Sequence, residues 1–145
     1  MLALAAVVAS GCGSGGGHFA NRPRPPSPVN VTVYINDQRV SVSPTSVGAG
    51  PVVFIVTNQA SKAVSMTILP AGSAAARSVA DTGPISPQAT AQIKVNLSRP
   101  DTTYKVATSA MASTQAAAAT ATPIQPALLH IGKQRASASN QLLSP

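Results

Sequence analysis

Few side chains in this sequence are equipped for chemistry. Cys12 is the single cysteine, His18 and His130 are the two histidines, and Met66 and Met111 are the internal methionines. The acids are Asp37, Asp81 and Asp101, with no Glu. Soft thioether and imidazole ligands suit Cu(I). Met66, Met111, His130 and His18 are therefore one candidate metal-handling set, although they stand far apart in the chain. The three Asp are isolated, so no acid and base pair is in view, and no Ser, His and Asp are spaced as a nucleophilic triad. The glycines of residues 11–17 precede no helix and do not make a phosphate-binding loop. This inventory predicts a protein that is not an enzyme, with no catalytic residue, no cofactor and no resident metal.

Cys12 has the most informative surroundings. Residues 2–9 read LALAAVVA, an apolar run shorter than the roughly 20 residues of a membrane-spanning helix. The run fits the hydrophobic region of an export signal. Ala9-Ser-Gly-Cys12 follows, and then Gly13-Ser-Gly-Gly-Gly17. That order resembles the bacterial lipobox, in which small residues precede a Cys that is diacylated and becomes the mature N-terminus. The resemblance implies a signal peptide over residues 1–11, cleavage after Gly11, and lipidation of Cys12 by fatty acyl chains such as palmitate. Each buried CH₂ of such a chain adds about 0.8 kcal/mol of membrane affinity, so two or three chains hold firmly. Ala9 stands where Leu is commoner, and no Lys or Arg precedes the apolar run. The signal therefore reads as truncated at its start. The expected location is the extracytoplasmic face of the cell membrane, with a lipid anchor. With Cys12 so used, no cysteine remains for a disulfide or a thiolate metal site.

The net charge is +7, from ten Lys and Arg against three Asp, yet only 9% of residues are charged, far below the usual quarter or so. A positive balance attracts anionic lipid, cell-wall polymer or nucleic acid. The basic residues stand singly and aromatics make up 3%, which leaves no stacking platform for bases and argues against nucleic acid. The expected partners are membrane lipid, through the acylated N-terminus, and an envelope protein or polymer.

The rest of the chain must position these groups. Residues 12–28 read as a tether, Gly/Ser-rich and then Pro-rich. From Val29 apolar residues recur at every second position, the period of a half-buried strand. Strands are expected at 29–35, 39–43, 52–57 (apolar on both faces, hence central), 63–69, 89–97, 103–108 and 124–131. Asn36-Asp37 and Gly48-Ala-Gly-Pro51 read as turns, residues 70–87 as a long loop, and 109–122 as a low-complexity insertion. Pro126 places the last strand at an edge. Residues 133–145 read as a loose polar tail. The core must be built from Val, Ile and Leu, the branched residues that suit pleated sheets. Six to seven short strands over residues 29–132 give an all-β sandwich.

The stretch Ser43-Pro-Thr-Ser-Val-Gly-Ala-Gly-Pro-Val-Val-Phe-Ile-Val-Thr-Asn58 resembles the cupredoxin family, in which such a phrase makes two adjoining strands of a Greek-key sandwich. Thr102-Thr-Tyr-Lys-Val106 is similar to the strand that leads to that family's copper loop. The resemblance implies a cupredoxin-like Greek-key β-sandwich. It also implies copper held by two His, a Cys thiolate and a weak axial Met. This chain departs from that ligand set. After Asn58 it reads Gln59-Ala-Ser-Lys-Ala-Val-Ser-Met66, and after Tyr104 it reads Lys105-Val-Ala-Thr-Ser-Ala-Met111, with neither His nor Cys. The fold is carried over and the copper chemistry is not. Met66 is expected in the core and His130 at the surface or rim. The candidate contact surface is the loop end formed by residues 59–62, 71–88 and 109–122.

Overall fold

The alternation that begins at Val29 continues as a strand whose apolar side chains all point one way. A computed structural model describes residues 24–72, 77–110 and 123–137. In it β1 (Val29–Ile35) buries Val31, Val33 and Ile35 and turns Asn30, Thr32 and Tyr34 outward. The chain reverses at Asn36, whose Oδ1 accepts hydrogen bonds from the N–H groups of Gln38 (2.9 Å) and Arg39 (2.8 Å). It returns as β2 (Val40–Ser43), antiparallel to β1. β3 (Ser46–Asn58) buries Val53 as well as its inward neighbours Val52 and Phe54. It lies between β1, parallel to it, and β6 (Thr90–Leu97), antiparallel to it. A strand with partners on both sides and cover on both faces carries a continuous apolar run, which is how its sequence reads.

The second layer holds β4 (Val64–Pro70), β5 (Ala80–Ile85), β7 (Thr102–Ala110) and β8 (Ala127–Gln134). The full path is β2-β1-β3-β8-β7-β4-β5, with β6 on the remaining side of β3. The chain crosses between layers within β3, after β3, after β5 and after β6, and the fold is the expected all-β Greek-key sandwich. The inner faces meet in a branched aliphatic core of which Val33, Val56, Ile35, Ile68, Leu97 and Leu129 are fully buried members, with Phe54 among them.

The structure corrects the sequence reading in three places. There are eight strands rather than six or seven, because β5 occupies part of the stretch read as a long loop. Its Asp81, Gly83 and Pro84 are poor strand formers. Pairing with β4 overrides that preference: Asp81 Oδ2 accepts from Thr67 Oγ1 (2.8 Å), and Thr82 Oγ1 accepts from Met66 N–H (3.0 Å). Gly83 takes φ 66° where the register shifts. Second, β8 begins after Pro126 and lies between β3 and β7, so it is an interior strand and not an edge. Third, the turn read at Gly48 to Pro51 is present, but as a corner inside β3, which starts six residues earlier than read. Residues 46–49 run parallel to β8, whereas residues 50–58 pair with β1 and β6. β8 starts beside the β1–β2 turn and ends beside the segment that leads into β1, so it runs opposite to β1. The chain must therefore reverse within β3.

Arg135 holds that corner. Its backbone N–H donates to Ala49 C=O (3.1 Å), and its Nε donates to Gly48 C=O (3.1 Å). Nη1 donates to Ser27 C=O and Nη2 to Pro51 C=O. β8 continues past Gly132, and the residue just after it is docked. Burial lowers the guanidinium pKa from its ordinary value, but guanidinium stays charged in proteins. The two corner glycines make room for this side chain. A Cβ on Gly48 would lie 2.6 Å from Arg135 Cγ, and one on Gly50, at φ 140°, would lie 2.8 Å from Nη2. Gly48→Ala is expected to destabilise the fold by about 2 kcal/mol in urea denaturation, and by clearly less when Arg135 is also Ala. An equal cost in both backgrounds would mean that the corner does not rest on this side chain.

Candidate functional site

At the end of the sandwich where β3, β5 and β7 finish and β4, β6 and β8 begin, one amide ties the loops together. Asn58 is fully buried, placed there by the branched run that precedes it. Its Nδ2 donates to Lys62 C=O (2.9 Å) and Ile85 C=O (2.8 Å), and its Oδ1 accepts from Ala60 N–H (2.9 Å). Its backbone N–H donates to Ala89 C=O (3.0 Å), and its C=O accepts from Gln88 N–H (2.7 Å). Buried polar groups must be paired, and here the pairing fixes residues 59–62 against the end of β5 and the 86–89 turn.

A second link crosses from the β1–β2 turn. Asp37 Oδ1 accepts from the backbone N–H and the hydroxyl of Ser61, both at 2.9 Å. These two bonds, the backbone one first, hold the Asp37 carboxyl below its ordinary pKa of 3.8; desolvation opposes them and the charge of Lys62 adds a little. Residue 125 completes the rim: Gln125 N–H donates to Gln38 C=O and Val40 N–H to Gln125 C=O, both at 2.8 Å. Asp37, Gln38, Arg39, Pro123 and Gln125 line a shallow polar recess there. The recess offers charge of both signs and amides to a polar partner.

The predicted surface is only partly assembled here. Residues 59–62 and 86–88 lie at this end, but residues 71–72 and 77–79 do not. Ala71 N–H donates to Thr103 C=O and Val79 N–H to Ile68 C=O, both at 2.8 Å, so the β4–β5 connection closes the opposite end. Residues 59–62 and 71–72 flank β4, so that strand by itself places them at opposite ends of the sandwich. Residues 109 and 110 end β7, and residues 111–122 lie outside the described residues. So do Cys12, His18 and Met111.

Met66 is fully buried in the core, as expected, opposite Thr108, whose Oγ1 is buried without a hydrogen-bond partner. His130 is exposed on β8, its Nδ1 3.5 Å from Thr103 Oγ1. The two described members of the Cu(I) set thus sit on opposite faces of one sheet and cannot share an ion. Among the described residues no three His, Cys, Asp or Glu come together as a metal-ligand group. Sequence reading placed Asn58 at the start of a loop and as the last residue of the cupredoxin-like phrase, and assigned it no role in fixing the loops.

No protein-family model matches the chain, and no curated protein matches it in sequence. Among solved structures it is similar to dithionite-reduced auracyanin from Roseiflexus castenholzii, at 11% identity and a TM-score of 0.47, over 74% of this chain and 98% of that one. It is similar also to auracyanin A, a blue copper protein from Chloroflexus aurantiacus, at 11% identity and a TM-score of 0.47, over 73% of this chain and 100% of that one. At such identity and overlap neither ligand nor activity passes to this chain.

Two outcomes check the tie. Asn58→Leu, which strands two carbonyls and an N–H, is expected to cost about 3 kcal/mol or more in chemical denaturation; a loss under about 1 kcal/mol would be too small for a knot of this kind. Because the folded Asp37 carboxyl has a pKa below 3.8, its contribution is complete above that value and is lost as pH falls through the lower folded pKa. The melting temperature of Asp37→Ala should therefore lie below that of the parent at neutral pH and converge with it in stronger acid. A gap that persists unchanged in acid would place the effect elsewhere.

Proposed function

We propose that the chain is a membrane-anchored extracytoplasmic lipoprotein whose cupredoxin-like sandwich is a non-catalytic binding or structural module of the cell envelope, without a copper site. The observation that carries this reading is the polarity of the domain. The segment that leads back toward Cys12 is held at one end, through Ser27 and Arg135. The loops tied by Asn58 and Asp37 lie at the other. A domain gripped where its tether enters, with its fixed loops at the far end, is arranged to present those loops to an envelope protein or polymer. The apolar run, small residues, Cys and Gly/Ser stretch at the N-terminus support the anchor. Intact mass of the protein recovered from the membrane fraction of its native cells tests the reading. Cleavage before Cys12 with added acyl chains is expected; a soluble chain with a free Cys12 thiol would remove the anchor.

A further inference from the structure

The positive charge of this protein is not spread evenly over the sandwich. Among the described residues, four exposed basic side chains stand at the end where the N-terminal segment joins β1, against two at the loop end. Arg24 is exposed on that segment, Arg77 on the β4–β5 connection, Arg99 on the β6–β7 connection and Lys133 at the end of β8. Lys94 lies exposed on β6, in the half nearest that end, and Lys105 lies exposed on β7. The acids there are Asp81, turned to Thr67 Oγ1 and Gly83 N–H, and Asp101. Arg135 directs its fork at main-chain carbonyls and is not part of the patch. The loop end has Arg39 and Lys62 against Asp37, close to balance.

Sequence alone hides this pattern, because the basic residues stand singly and are gathered only by the strand order. Two lengths decide what the patch can do. The strands separate the two ends by about 20 Å, well beyond the roughly 8 Å over which charges act at physiological ionic strength. A charged surface at one end is therefore felt only by the residues of that end. The chain from Cys12 to Pro28 reaches at most about 60 Å when fully extended. Because Ser27 is fixed at the corner, that chain leaves from the basic end.

We infer that this basic end is a docking surface for an anionic lipid bilayer, which holds the domain upright on the membrane and turns the Asn58 loops outward. The inference rests on the lipid-anchor reading for its geometry but is tested without the anchor. Each Lys or Arg near an anionic leaflet adds about fivefold to partitioning. The full chain with Cys12→Ser, which cannot be acylated, is sedimented with vesicles of phosphatidylcholine and phosphatidylglycerol, and with phosphatidylcholine alone. Arg99→Gln with Lys133→Gln should weaken binding to the anionic vesicles by about 25-fold, and high salt should remove most of the difference. The same pair should leave binding to pure phosphatidylcholine unchanged. Arg39→Gln with Lys62→Gln, the matched pair at the loop end, should leave both unchanged. Because every variant keeps the N-terminal apolar run, its own affinity cancels in the comparison. Equal losses from the two pairs would reduce the effect to net charge and overturn the inference, as would no loss from either. An acylated Cys12 in native protein together with no loss here would leave the anchor standing and remove the docking surface. An unacylated Cys12 with the 25-fold loss would do the reverse.

Discussion

Because β3 belongs to both layers, the two sheets are joined covalently at a corner where the main chain reverses within a few residues. Such a corner has no room for a side chain at two of its positions and leaves carbonyls turned away from either ladder. Both needs are met from a distance in sequence. Gly48 and Gly50 leave the space, and Arg135, which follows the last strand, fills it and donates to Gly48, Ser27 and Pro51. A guanidinium is suited to this place because its donors are rigid and diverge. A lysine of similar length offers a single nitrogen and could not reach three carbonyls in different directions. The start of β1, the bend of β3 and the end of β8 are thus held by one side chain, and the order of the strands follows from there.

The other end of the sandwich is organised by a neutral group. Asn58 serves as donor and acceptor at once, so one buried amide closes three segments without any charge to desolvate. Asp37 adds its link at the solvent-exposed rim, where ionisation costs little. The division follows from dielectric: a carboxylate in the place of Asn58 would face the carbonyls of Lys62 and Ile85, and an amide in the place of Asp37 would form weaker bonds than a charged acceptor. Loops fixed in this way form a surface of constant shape. A partner that recognises them loses little of its affinity to ordering them.

Much of this was legible in the sequence where one physical signal acted alone. The alternation from Val29 to Ile35 gave its strand and inward face, and the two-faced apolar run from Val52 to Thr57 gave its strand and central character. What escaped was decided by competition between signals. Asp81, Gly83 and Pro84 disfavour a strand, and only the presence of β4 beside them makes one. Pro126 argued for an edge, yet it stands one residue before the strand and interrupts no ladder. Residues 59–62 and 71–72 flank β4 and so lie at its opposite ends, which is why part of the predicted contact surface lies at the wrong end. Arg135 carries no local pattern, since its side-chain partners are up to 108 residues away.

The partnership between the first strands and the last has a consequence in time. β3 cannot finish its second ladder until β8 exists, and the corner is not held until Arg135 has been made. Pairings between such distant segments are slow to form, because the entropy of closing the intervening loop opposes them before any contact is gained. During synthesis the chain therefore emerges as a string of strands with no complete sandwich, and its fold is deferred until β8 and Arg135 have been made. The order of the strands thus builds a delay into the closing of the sandwich.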